Sequence, residues 1–211
     1  MAATLVSVVF WVTLLRRHRL RPRPATFAWL VGLGCYAVGV GCQALAELGG
    51  LTELVYRLWY LAGAFFTAAY LGMGSIYLAG PRWAPWAMRG LAWASALVIP
   101  VVMTAPLDVA NVDPHLLSGA GFPDYVRLLT PAFNLFGTAG LVGVAAWSAL
   151  RRSAGRPFWP PALIAAGSFV TASGATLLRF GVPGGFYVSQ LVGIVLMWLG
   201  FAIPSRVRAR G

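Results

Sequence analysis

The chain has 211 residues, of which 59% are hydrophobic and only 10% charged, and its mean hydropathy is +0.77. A water-soluble domain carries roughly a quarter charged residues, so this composition excludes one and demands a lipid-facing surface. The net charge of +11 comes entirely from arginine against five acidic residues. Such a charge would suggest nucleic acid in a soluble protein. Here the arginines sit at the ends of apolar runs, so the expected partners are the bilayer and anionic lipid head groups rather than nucleic acid.

Crossing a hydrocarbon core of ~30 Å takes ~20 apolar residues as a helix. The runs do not alternate with period two, so helices rather than a barrel are expected. The first run, about 1–15, is followed by Arg16, Arg17, His18, Arg19, Arg21 and Arg23. A cleavable signal peptide has its positive charge before the apolar stretch; the reversed order predicts a short first span with a cytoplasmic charged end. The second span, about 27–48, ends at Glu47 and Gly49-Gly50. The third, about 54–79, stops before Pro81-Arg82-Trp83 and Arg89. A fourth, about 91–107, contains Pro100 and Pro106 and leads into the longest loop, Asp108 to Pro123. The fifth spans about 125–150, up to Arg151, Arg152 and Arg156. The sixth covers about 159–180, and the seventh about 186–203, before Arg206, Arg208 and Arg210.

The expected fold class is therefore all-α: one polytopic domain of seven transmembrane helices, N-terminus outside and C-terminus cytoplasmic, in a bacterial inner membrane. This topology puts thirteen of the sixteen arginines on the cytoplasmic side, and Glu47, Glu53, Asp108, Asp113 and Asp124 on the other. That sorting matches the positive-inside bias. Trp11, Trp29, Trp83, Trp86 and Trp159 lie near predicted span ends and suit an interfacial belt.

Leu15-Arg16-Arg17 recurs as Leu150-Arg151-Arg152, Arg23-Pro24 as Arg156-Pro157, and Gly34 and Gly41 as Gly167 and Gly174. This suggests a three-one-three arrangement of parallel repeats, a design known in transporters; shared composition of membrane helices is the alternative. Glycines are dense on the second, third, fifth and sixth spans. Close helix packing accounts for them, and hinges are the competing reading.

The candidate ligand-binding residues are the polar groups in the outer halves of the spans: Gln43, Glu47, Arg57, Tyr60, Arg127, Asn134, Arg179, Tyr187 and Gln190. Ionisable groups within a membrane are costly and often mark a ligand site. Three arginines on three helices would form an outward-open pocket for a carboxylate or phosphate. Alternatively, Arg57, Arg127 and Arg179 snorkel to the interface and pair with Glu47, Glu53 or Asp124. Pro131 and Pro100 are expected to kink their helices, with Asn134 beside the first kink. Cys35 and Cys42 lie ~10 Å apart along one helix, beyond disulfide reach. No span has a central His or carboxylate, and no Cys/His/Asp/Glu cluster has metal-ligand spacing. A non-enzymatic protein without metal or cofactor is expected, and retinal has no lysine to join.

The stretches Leu58-Trp59-Tyr60-Leu61-Ala62-Gly63 through Tyr70-Leu71-Gly72-Met73-Gly74, Arg127-Leu128-Leu129-Thr130-Pro131-x-x-Asn134-x-x-Gly137, and Gln190-Leu191-x-Gly193 with Gly200-Phe201 resemble small uncharacterised bacterial seven-helix membrane proteins. More loosely, the arrangement is similar to the seven-helix sensor region of bacterial histidine kinases. The resemblance implies binding or sensing of a small ligand and a separate membrane or signalling partner. A small-solute transporter and a structural subunit of a larger membrane complex remain the alternatives.

Overall fold

The computed structural model describes residues 2–109, 112–114, 117–150, 162–171 and 183–202. These residues form helices and connecting turns, with no strand among them. Seven helical rods follow one another: α1 (Ala2–Leu20), α2 (Pro24–Gly50), α3 (Glu53–Ala79), α4 (Ala84–Thr104), α5 (Thr130–Leu150, after a single turn at Asp124–Arg127), α6 (Ala162–Thr171) and α7 (Pro183–Ala202). Four segments are long and apolar enough to cross a membrane: α2, α3, α4 and Asp124–Trp147. Their outward surface is apolar as well, with Trp93, Leu97 and Leu135 all more than two-thirds exposed.

Boundaries differ from the sequence expectation where charge and proline intervene. Helix α1 runs on through Arg16, Arg17, His18 and Arg19 to Leu20, because basic side chains suit a helix C-terminus. Its apolar part, about fifteen residues or ~22 Å long, is shorter than the hydrocarbon core. Helix α4 starts at Ala84, takes in Arg89 and ends at Thr104; the Arg89 guanidinium stacks over Trp86 at 4.5 Å. The kink expected at Pro131 takes the form of a break: Leu128 and Leu129 form a turn, and the helix resumes at Thr130. Proline is at ease there, in a first helical turn that needs no donor.

Helix α3 is central, packed against both α2 and α5, while α1 lies against α2 and α7. The crossings rest on missing side chains. A Cβ added at Gly72 would lie 2.2 Å from the Gly137 carbonyl oxygen, and one at Gly137 equally close to that of Ala68. Lipid supplies no hydrophobic drive between helices, so backbone contact of this kind supplies dispersion energy in its place. Gly74 makes room for the Trp29 indole, whose Nε1–H donates to the Leu71 carbonyl at 3.1 Å. The Trp11 indole likewise donates to Leu30 O at 2.9 Å. These two tryptophans turn inward to bridge helices. Trp83 and Trp86 are exposed, and Trp159 lies outside the described residues, as do the arginines and Gly174 of the second repeat copy.

Helix α3 stops at Gly80, whose φ of 75° carries the chain into the left-handed region that glycine enters without penalty. At its other end the Thr52 hydroxyl accepts from Val55 N–H at 3.2 Å, a helix N-cap. The connection after α4 folds back on α3. Asp108 N–H donates to Gly121 O at 3.1 Å. The Tyr56 hydroxyl donates to Ser118 O and accepts from Gly121 N–H. Phe122 stacks on Tyr60 with ring centroids 4.5 Å apart. Tyr56, Phe65, Val102, Phe122 and Val126 thereby form a packed cluster at one end of the bundle.

Candidate functional site

Helix α3 contains a widened turn at Tyr60–Phe66. Its extra residue leaves the Ala62 carbonyl facing Thr67, which supplies both its backbone N–H and its hydroxyl, the latter at 2.8 Å. Such π-type turns recur at functional sites. Here the turn presents Gly63 and Ala64 to a partly open cavity of about 360 Å³ between α2, α3, α5, α6 and α7, within the range of small-molecule sites.

Among the described residues most of the lining is apolar, and none of the lining side chains is charged. The polar groups come from three carboxamides, Gln43, Asn134 and Gln190, and from hydroxyls on Tyr36, Thr67, Thr138, Ser168 and Thr171. Four hydroxyls already donate to helix carbonyls: Thr67 as above, Ser168 to Ile164 O, Thr171 to Gly167 O, and Tyr36 to Gln190 O at 3.2 Å. Gln190 Nε2 donates to Gln43 Oε1 at 3.2 Å, and Gln43 Nε2 donates to Glu47 Oε1 at 3.3 Å. The Asn134 carboxamide makes no hydrogen bond to the described residues. Asn134 is half-buried, so its carboxamide can hydrogen-bond a guest or water at this wall.

The residues expected to bind ligand thus separate. Gln43, Asn134 and Gln190 meet at the cavity, and Glu47 stands behind Gln43. Tyr60 does not line the cavity: it is buried in the cluster around Phe122, its hydroxyl 2.9 Å from that of Thr130. Arg57 and Arg127 do not line the cavity. Nη1 and Nη2 of Arg57 donate to carbonyls at the end of α4, Val102 O and, one residue past the helix, Ala105 O, and Nη2 lies 3.5 Å from Glu53. Arg127 pairs with Asp124 at 3.1 Å on the exposed surface. Both ion pairs are ones that the snorkelling alternative names. Arg179 and the Tyr187 side chain lie outside the described residues.

Sequence reading passed over Tyr36, Trp59, Thr138, Ser168 and Phe169, all of which line the cavity. For Tyr36 a signal existed: Tyr36, Gly39, Val40 and Gln43 recur at helical spacing on one face of α2. Thr138 stands one turn from Asn134 in the same way. Ser168 and Phe169 become neighbours of Gln43 only through the packing of α6. No family model, no curated protein and no solved structure matches the chain.

Proposed function

We propose that this chain is a bacterial inner-membrane protein of seven spans, N-terminus outside, that binds a small molecule in its inter-helix cavity and serves as a non-enzymatic sensing or receptor module. One observation carries the reading: a cavity of about 360 Å³ among five helices has on its wall a carboxamide, Asn134, without a hydrogen-bond partner among the described residues. The segregation of arginine from carboxylate in the sequence supports the orientation, which leaves the Arg16–Arg23 cluster beside anionic cytoplasmic lipids. In that orientation the carboxamides belong to the outer half of the bundle. Leu71, Leu141 and Met197 line the cavity further in. An apolar floor suits a receptor site better than a solute pathway.

In this reading Arg57 and Arg127 stay outside the ligand site, and the guest is taken to be uncharged rather than anionic. The test uses 1-methoxynaphthalene, an uncharged apolar probe, and the thermal stability of the purified protein in detergent. The probe raises the Tm of the wild type; Ala64→Trp and Val142→Trp, which fill the cavity from two walls, abolish the rise. A wild type indifferent to the probe, or variants that respond as the wild type does, would refute the reading.

A further inference from the structure

The two glutamines of the cavity form a directional chain. Glu47 stands at its outer end, and an ionised carboxylate accepts hydrogen bonds but donates none. Gln43 must therefore turn its NH₂ to Glu47, which it does at 3.3 Å. Its Oε1 is then the atom left facing Gln190, and Gln190 Nε2 donates to it at 3.2 Å. The orientation of a carboxamide is otherwise ambiguous; here the carboxylate settles it twice over. What remains at the cavity end of the chain is Gln190 Oε1, an acceptor with no protein donor among the described residues.

Three features bear on the guest that this acceptor suits. Among the described residues the lining contains no charged side chain, so an ionic ligand would be desolvated there without a counter-charge from them. The guanidinium groups of Arg57 and Arg127 are engaged elsewhere. On the α5 wall, Asn134 offers both a donor and an acceptor.

We propose that the cavity selects an uncharged, largely apolar molecule bearing an O–H or N–H donor, received by Gln190 Oε1, with Glu47 as the positioning residue that fixes the polarity of the Gln43–Gln190 chain. This rests on the cavity being the binding site. Gln190 touches the ligand; Glu47 acts through two intervening side chains and does not.

Three matched probes separate the claims: 1-naphthol (a donor), 1-methoxynaphthalene (the same ring without one) and 1-naphthoate (an anion), each titrated against purified protein at neutral pH. The wild type binds 1-naphthol several-fold to about tenfold more tightly than the ether, the measure of one hydrogen bond, and binds 1-naphthoate least. Gln190→Met abolishes the preference, so that 1-naphthol and the ether bind alike. Glu47→Met narrows the same gap although Gln190 is intact, because Gln43 is then free to turn over. A purely structural role for Glu47 would weaken all three probes alike.

Equal binding of 1-naphthol and its ether by the wild type overturns the proposal, as does a gap that survives Glu47→Met. Failure of the cavity reading looks different: neither neutral probe binds, or Ala64→Trp binds both as the wild type does, and the relay then falls with it.

Discussion

Replacing Gly72 by alanine tests the packing on which the cavity depends. The added Cβ would stand 2.2 Å from Gly137 O and 2.6 Å from Gly137 Cα, where ordinary contact begins near 3.4 Å. The obstacle is backbone, so no rotamer change relieves it; α3 and α5 must separate by about an ångström or more. Overpacking of this kind costs ~1–3 kcal/mol, and the loosened crossing also forfeits dispersion contacts between the helices. Helix propensity works the other way, since alanine in a helix interior gains ~0.5–1 kcal/mol over glycine, but it does not outweigh the clash. Gly41→Ala isolates that second effect, because a Cβ there meets nothing within 4 Å. For a chain of this size 1 kcal/mol shifts the Tm by about 2–4 °C. Thermal denaturation in detergent should therefore show Gly72→Ala about 3–8 °C below the wild type, and Gly41→Ala level with it or slightly above. A Gly72→Ala protein as stable as Gly41→Ala would refute the account of how α3 and α5 meet.

Arg57→Met strips the donors from Val102 O and Ala105 O, carbonyls at the end of α4 that the helix itself leaves unsatisfied. A loss of about 2 kcal/mol, the scale of a hydrogen bond from a charged donor, should lower the Tm. Hydrogen exchange should also rise at Ala105 and at Asp108, whose amides bond to Val101 and Gly121; unchanged protection there would remove Arg57 as the clamp. Membrane orientation is open to cysteine labelling in a background lacking Cys35 and Cys42. Leu20→Cys and Leu48→Cys both lie at highly exposed positions. An impermeant maleimide added to intact spheroplasts should label the cysteine at 48 and reach the one at 20 only after permeabilisation; the reverse pattern would invert the proposed topology.

The helical, apolar character of the described residues was legible from residue order alone, because the cost of exposing charge or unpaired backbone to hydrocarbon acts locally, one segment at a time. That local rule places the rods and, through the arginines, proposes their direction. It also explains the partial legibility of the site. Gln43, Asn134 and Gln190 stand out as polar groups in apolar runs, and all three reach the cavity. The rule cannot tell one such group from another, and Arg57 and Arg127 stood out equally. Their fate depended on neighbours far along the chain: Arg57 meets the end of α4, 45 residues away, and Arg127 stays with Asp124 on the surface. The inward turn of Trp29, the tucked loop after α4 and the Gln43–Gln190 contact across 147 residues are likewise products of helix packing. Only when the glycines of α3 and α5 let two backbones touch do such distant groups come within hydrogen-bond reach.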